Sequence, residues 1–327
     1  MVGLLLLAGL ASIQGGVPAL EAELNRIAAA APAKVGIGVV HVETGRQASV
    51  NGAEWFPMAS TYKVPIAVEV LTRVDRGELG LDSLVALEPA DIVPFGSLLT
   101  ERFGDATRPG ATLAVRRYLE LMLTLSDNTA TDVLLRLIGG TQPVRARVAA
   151  LGITDLEVSR SVMQLGADWL GFVLPPRSER TVDRMRQLMA GAKPEQVKAA
   201  SQRFLASHRD HTTPRAMARL LATIVKGGAL SQSSTDLLLG VMTRDETGVD
   251  RLRGRMPPNV RVASKTGTLD VKVQNDVGVV FLPDGSHVAV AVYLAEARAG
   301  EAQLSRVIAD VGRAVYDYFT FSPRGGP

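Results

Sequence analysis

An α/β fold is predicted for this chain: one antiparallel sheet built from both chain ends and flanked by helices, plus an all-helical lobe contributed by the middle. Three observations carry that expectation. β-branched apolar runs gather near the two ends of the 327 residues, helical periodicity fills the stretch between them, and 46% of residues are hydrophobic against 21% charged. That composition supplies a substantial core.

Val17 to Ala30, after Gly15-Gly16, reads as an amphipathic helix, and Val35 to Val42 as a strand. Thr44-Gly45-Arg46 turns the chain into a second, short strand. Leu113 to Leu125 and Ala130 to Ile138 are helices, the second stopped by Gly139-Gly140. Thr213 as N-cap and Pro214 at the first helical position open a helix that runs to Val225 and stops at Gly227-Gly228. Val260 to Ser264, Val277 to Phe281 and His287 to Tyr293 are strands, with Pro283-Asp284-Gly285 as a hairpin turn, and Glu301 to Tyr318 closes the chain as a helix. The expected layout is a leading segment 1–16, an α/β lobe from 17–59 and 215–327, and a mainly helical lobe from 60–214, with a cleft between the lobes.

Composition removes several classes of function. Lys+Arg 36 against Asp+Glu 33 leaves a net charge of +3 with the arginines scattered, which argues against nucleic acid. The absence of cysteine excludes thiol catalysis, disulfides, Cys-ligated zinc and a lipidated N-terminal cysteine. Met1 to Ile13 is apolar, too short to span a bilayer, and shaped like a signal-peptide core although no Lys or Arg precedes it. Export to the periplasm or medium without stable membrane insertion is therefore expected, the other reading being a buried N-terminal element. His208-Arg-Asp-His211 is the only histidine cluster, and two histidines in a capping turn lack the three or four converging ligands of a zinc site. No metal and no cofactor are expected. Trp55, Phe56, Trp169 and the Met residues read as core or cleft wall rather than cofactor contacts.

Three short signatures point to chemistry: Ser60-Thr61-Tyr62-Lys63, Ser126-Asp127-Asn128 and Lys265-Thr266-Gly267. A serine becomes a covalent nucleophile when a base takes its proton and a dipolar pocket holds the oxyanion. Spacing of three on a helix sets Ser60 beside Lys63. Burial and a second cation, Lys265, both disfavour the ammonium form of Lys63 and so make it a base. The helix start also offers the Ser60 backbone N–H as half of an oxyanion hole. Asp127 suits a loop brace, and Lys265-Thr266-Gly267 is expected to open a strand after Arg261-Val262-Ala263-Ser264, where Gly267 lets a substrate lie flat against the backbone.

Together the signatures resemble those of class A β-lactamases and penicillin-binding serine hydrolases. Ser126-Asp-Asn-Thr-Ala-Thr, Leu137-Ile-Gly-Gly, Arg209-Asp-His-Thr-Thr-Pro-Arg-Ala-Met217 and Asn275-Asp276 extend the resemblance over about Leu20 to Tyr318. It implies a β-lactamase/transpeptidase-like fold in which Ser60 is acylated, Lys63 is its base, Ser126 relays a proton to the leaving nitrogen and Lys265 completes the catalytic set. Asn128 then binds the substrate amide. Thr266, Gly267 and Thr268 line the substrate strand, the Thr268 backbone N–H completes the oxyanion hole, and Arg251 binds a carboxylate.

One segment departs from the family. Class A β-lactamases carry Arg-x-Glu-x-x-Leu-Asn, whose glutamate activates the water that frees the acyl-enzyme, whereas this chain reads Arg160-Ser-Val162-Met-Gln-Leu-Gly166. Valine accepts no proton and glycine holds no water, so acylation is expected to survive and ordinary deacylation is not. Arg160 and its expected partner Asp210 stand fifty positions apart, so the loop 160–210 is enlarged. Its ion pair is expected to be exposed and to contribute little. Asp168, Glu179 and Glu195 are the candidate substitutes for the absent base. Three functions remain open: a β-lactam hydrolase with slow or non-standard deacylation, a D-Ala-D-Ala peptidase acting on peptidoglycan peptides, and a β-lactam sensor that stays acylated.

Overall fold

The computed structural model describes residues 17–102 and 111–321, so the apolar run at Met1 to Ile13 lies outside the described residues. Helix α1 (Pro18–Ala30) precedes strands β1 (Lys34–His41) and β2 (Gln47–Val50). The middle of the chain supplies α2 (Lys63–Asp75), α3 (Val115–Thr124), α4 (Asn128–Leu137), α5 (Val162–Leu170), α6 (Val182–Ala190), α7 (Pro194–Ala206), α8 (Pro214–Val225) and α9 (Gln232–Met242), together with a ten-residue helix at Thr141–Ala150 and shorter pieces. Strands β3 (Val262–Leu269), β4 (Val273–Phe281) and β5 (His287–Ala295) and helix α10 (Glu301–Phe321) follow.

The five strands form one antiparallel sheet in the order β2-β1-β5-β4-β3. Val39 lies opposite Val290, Val277 opposite Ala291 and Lys265 opposite Val277. The two chain ends therefore interleave, and β3 is left as an edge. Strand β1 is buried along almost its whole length because α1 and α10 cover one face of the sheet while α8 packs on the other. Burial on both faces explains why its sequence is a continuous apolar run rather than an alternation. Strand β5 lacks polar alternation for the same reason, with residues 288–294 all fully buried.

Several local expectations are corrected. Leu113 and Ala114 are not helical: Thr112–Ala114 pairs with Leu84–Ala86, and the backbone N–H groups of Val115 and Arg116 donate to Ser83 and Leu81. These long-range bonds hold the first turn extended, so α3 begins at Val115. Strands β3 and β4 start near their expected places or earlier and run longer, which puts Lys265-Thr266-Gly267 in the middle of a strand rather than at its opening. The turn carrying Ser60 is a 3-10 helix (Ala59–Tyr62) that feeds into α2, not the first turn of a regular α-helix.

Candidate active site

The first signature stands on a rigid base. Every residue of α2 from Lys63 to Thr72 is buried, and Pro65 sits near enough to the helix start to cost no interior hydrogen bond. Thr61 fixes the preceding turn by donating from both its N–H and its hydroxyl to the Met58 carbonyl, at 3.1 and 2.8 Å. Ala59, immediately before Ser60, has a left-handed backbone with φ of +47°. A non-glycine residue there is strained, and the packing around it must hold it in place. Ser60 is half-buried at the end of this strained approach.

Lys63 reaches across to the second signature. Its Nζ donates to the Ser126 carbonyl at 2.6 Å and to Asn128 Oδ1 at 2.8 Å, and lies 3.1 Å from Ser126 Oγ. Among the described residues its hydrogen bonds go to this loop and none goes to the Ser60 hydroxyl. The two carbonyl oxygens accept only, so a neutral amine spends both hydrogens on them and keeps its lone pair for a hydroxyl proton. Burial first, and then the charge of Lys265, push the Lys63 pKa well below that of an ordinary lysine.

The second signature is the bend between α3 and α4. Ser126 is left-handed, with φ of +56°, and Asp127 braces the bend from a buried position. Its carboxylate accepts from Ala130 N–H, Leu99 N–H and the Ser97 hydroxyl at 2.8 to 3.1 Å, which caps α4 and ties down the segment 94–99. Asn128 is oriented at both ends, since its Nδ2 donates to the Phe95 carbonyl at 3.0 Å.

Strand β3 brings the third signature to the same place. A Cβ on Gly267 would lie 2.6 Å from the Met58 carbonyl and 3.0 Å from the Ser60 nitrogen, so only glycine lets the strand edge approach this closely. Lys265 is fully buried and donates to the Thr266 carbonyl at 2.9 Å. Burial lowers its pKa to about 8, against the raising effect of Asp245 and Asp276. Thr266 hydrogen-bonds through its hydroxyl to Thr247. Arg251 is buried behind the strand, donating to Thr268 Oγ1 at 2.8 Å, to the Asn275 carbonyl at 2.9 Å and to Glu301 at 3.2 Å.

Ser60, Asn128 and Thr268 line two cavities at once. One, of about 900 Å³, is polar and includes Ser126, Thr266, Arg251 and Glu301 in its wall. The other, of about 290 Å³, is walled by Phe95, Val162, Leu165, Trp169 and Met189. No carboxylate lines this second cavity among the described residues. Val162 opens α5, buried, and a Cβ on Gly166 would lie 2.6 Å from the Phe95 ring, so that ring occupies the space a larger side chain at 166 would need. Asp168 instead pairs with Arg160 at 2.9 Å and Gln164 at 2.6 Å, and Glu179 and Glu195 are exposed; none of the three lines either cavity.

The Arg160–Asp210 pair corrects the expectation of an exposed bridge. The side chains are 2% and 4% exposed and meet at 2.5 Å, and Asp210 also accepts from the N–H groups of Ser159 and Arg160. The insertion between them folds over the pair, with the Phe204 ring 4.2 Å from the guanidinium, and so takes it out of water. His208 stacks on Trp55 and His211 bonds to the Arg209 carbonyl, so both serve local packing.

Sequence reasoning missed the part of the apolar wall made by Phe95 and Leu165. Nothing in their local pattern distinguishes a cavity wall from a core. It also missed Asp132, whose buried carboxylate, its pKa raised to about 6 by burial, accepts from Val162 and Met163 N–H and so fixes the start of α5. Helix-capping chemistry at a site thirty residues distant leaves no mark in a linear reading.

Comparison with known proteins agrees with this geometry. β-Lactamase VEB-1 of Pseudomonas aeruginosa is 28% identical over 308 residues, covering 92% of this chain and 90% of that protein. The crystal structure of a β-lactamase from Chitinophaga pinensis superposes with a TM-score of 0.75 at 31% identity, covering 92% of this chain and all 100% of the other. An ancestral class A β-lactamase gives a TM-score of 0.74 at 31% identity, with 92% and 100% covered. A sequence model of the β-lactamase enzyme family matches residues 19–319. With the sheet, the cleft and this match coinciding along the chain, the protein belongs to the β-lactamase enzyme family as a class A-like serine hydrolase.

Proposed function

We propose that the protein opens β-lactam rings by forming an acyl ester on Ser60 and releases that ester slowly. Lys63 takes the Ser60 proton as the serine oxygen attacks the lactam carbonyl. The oxyanion is held by the backbone N–H groups of Ser60 and Thr268, the C–N bond breaks, and Ser126 passes a proton to the leaving nitrogen. Lys265 supplies positive charge beside that step, Asn128 binds the substrate amide, and Thr266, Gly267 and Thr268 present the strand edge. Arg251 acts on the substrate carboxylate through the Thr268 hydroxyl it donates to. The site lies at the seam between the α/β lobe of 17–59 and 215–327 and the helical lobe of 60–214. The observation that carries the reading is the buried Lys63 amine, bonded to Ser126 and Asn128 at the edge of β3 beside Ser60.

Slow release follows from the second cavity, where Val162 and the Phe95 ring stand in place of a proton acceptor and a water-holding amide. The same feature favours a second reading, a D-Ala-D-Ala peptidase of the periplasm or cell exterior, in which a peptide amine takes over the ester. No described helix is long and apolar enough to cross a membrane. Mixing the protein with a chromogenic cephalosporin and following product and intact mass together tests both readings. A fast stoichiometric burst with a persistent adduct supports slow release; steady turnover with no adduct contradicts it, and cleavage of a D-Ala-D-Ala peptide selects the second reading. Val162→Glu is expected to shorten the adduct lifetime at least about tenfold, since a carboxylate then faces the ester. An unchanged half-life in the mass time course contradicts the assignment of this cavity.

A further inference from the structure

We infer that a third cavity, walled by Lys34, Trp55, Phe56, Lys272 and Arg298, is a second ligand site that takes a monoanion carried on a flat aromatic body. It is separate from the two cavities at Ser60 and does not depend on the ester reading above.

The cavity measures about 450 Å³ and shares no lining residue with either cavity at Ser60. That size is ordinary for a small organic ligand, and an apolar cavity of roughly a third of the volume accepts benzene. One side is apolar, made by Trp55, Phe56, Pro57 and Leu205. The Trp55 ring stacks on His208 with centroids 5.0 Å apart, and Phe56 is buried against Tyr293. Both rings are held before any ligand arrives, so binding does not have to order them.

The other side is basic. The Lys34 charge is answered by Glu54 at 2.7 Å. Lys272 and Arg298 are exposed, neither forms an ion pair among the described residues, and Glu296 is the one carboxylate in the wall. Two cations against one carboxylate leave one positive charge in excess, which a monoanion neutralises. His211, also in the wall, adds no charge at neutral pH, because burial lowers its pKa. The backbone builds this side. Glu296 is left-handed, with φ of +52°, and the turn it makes after β5 lets Ala297 N–H donate to the Lys272 carbonyl at 3.2 Å and Arg298 N–H to the Pro32 carbonyl at 2.8 Å. A non-glycine residue in that conformation is held there by its surroundings.

The apolar side belongs to the segment that leads into the nucleophile turn. Phe56-Pro57 pairs with His211-Thr212 and continues through Met58 and Ala59 to Ser60. An occupant therefore touches that segment from outside the catalytic cavities.

The chain has two tryptophans, Trp55 in this cavity and Trp169 in the apolar cavity beside Ser60, so their indole N–H signals in a nitrogen-15 NMR spectrum report the two places separately. Trp55→Phe assigns the signals. The full chain is titrated with naphthalene-2-sulfonate, with uncharged naphthalene-2-sulfonamide and with methanesulfonate. The aromatic sulfonate is expected to shift the Trp55 signal to saturation and to leave Trp169 in place. It should bind at least about tenfold more tightly than either control, since one lacks the charge and the other the rings. A shift confined to Trp169, no saturable shift of either signal, or a sulfonamide that binds equally well overturns the inference. Lys272→Glu combined with Arg298→Glu, both at exposed positions, is expected to weaken the aromatic sulfonate at least about tenfold, and an unchanged affinity contradicts the site.

Discussion

Ser60→Ala is expected to abolish the acyl adduct and to lower β-lactam opening by at least about a thousandfold, because the reaction loses its nucleophile and not merely a contact. The loss should be in the chemical step. Asn128, Thr268 and the cavities on either side remain in the variant, so substrate binding measured by quenching of Trp169, which lines the apolar cavity, should survive within a few-fold. Ser60 is half-buried on a 3-10 turn, and its side chain makes no hydrogen bond to another described residue, so its hydroxyl can be deleted without unsatisfying a buried partner. A Ser60→Ala protein that still gained acyl mass would show that another residue is the nucleophile.

Asp210→Ala is expected to produce the largest loss of stability. Its carboxylate is the nearer partner of a guanidinium only 2% exposed, and its loss leaves that buried charge with Asp168 at 2.9 Å as its remaining carboxylate, so the cost should be about 3 kcal/mol, the low end for breaking a buried pair. In a protein of this size the midpoint of thermal unfolding should fall by roughly 4–5 °C, measured by circular dichroism. The effect should reach the site, because the Asp210 carbonyl accepts from the Met58 N–H at 3.1 Å, two residues before Ser60. Replacing both partners with Arg160→Met and Asp210→Leu should cost less than Asp210→Ala alone, since no charge is then left buried. A midpoint shift of under about 2 °C for Asp210→Ala would mean that the pair is solvated in solution.

Much of the fold was legible where local chemistry and tertiary structure agree. Thr213 caps α8 through Ala216 N–H with Pro214 at the first position, as the Thr-Pro pair suggests, and the apolar run before Val42 is the doubly covered strand β1. What was not legible depended on distant partners. Leu113 and Ala114 carry helical periodicity but are held extended by pairing with Leu84–Ala86. Lys265 and Thr266 look like the mouth of a strand, yet lie mid-strand because β4 pairs with all of 262–269. The Arg160–Asp210 pair reads as a surface bridge from two charged letters, and its burial is set by residues such as Phe204 that the insertion folds over it.

The candidate site shows the same division. The three signatures named the residues that converge, since their spacing alone puts them on a turn, a bend and a strand. The partner that Lys63 chooses was not legible: its amine lies against the Ser126 carbonyl and Asn128, an arrangement created by the left-handed Ser126.

Acylation of Ser60 requires Lys63 to be a neutral amine at working pH, and lysine labelled with carbon-13 at Cε reports that charge directly by NMR titration. The expected result is one buried lysine that loses its proton well below the usual value near 10.4, whose signal vanishes in Lys63→Met, and a second, Lys265, titrating near 8. Because a lowered pKa leaves the amine neutral above it, acylation of Ser60 should rise with pH through the first transition and fall as Lys265 loses its charge at about 8. A Lys63 signal that titrates at the ordinary lysine value of roughly 10.4 would mean that the residue is an ordinary cation in the folded protein and cannot take the Ser60 proton.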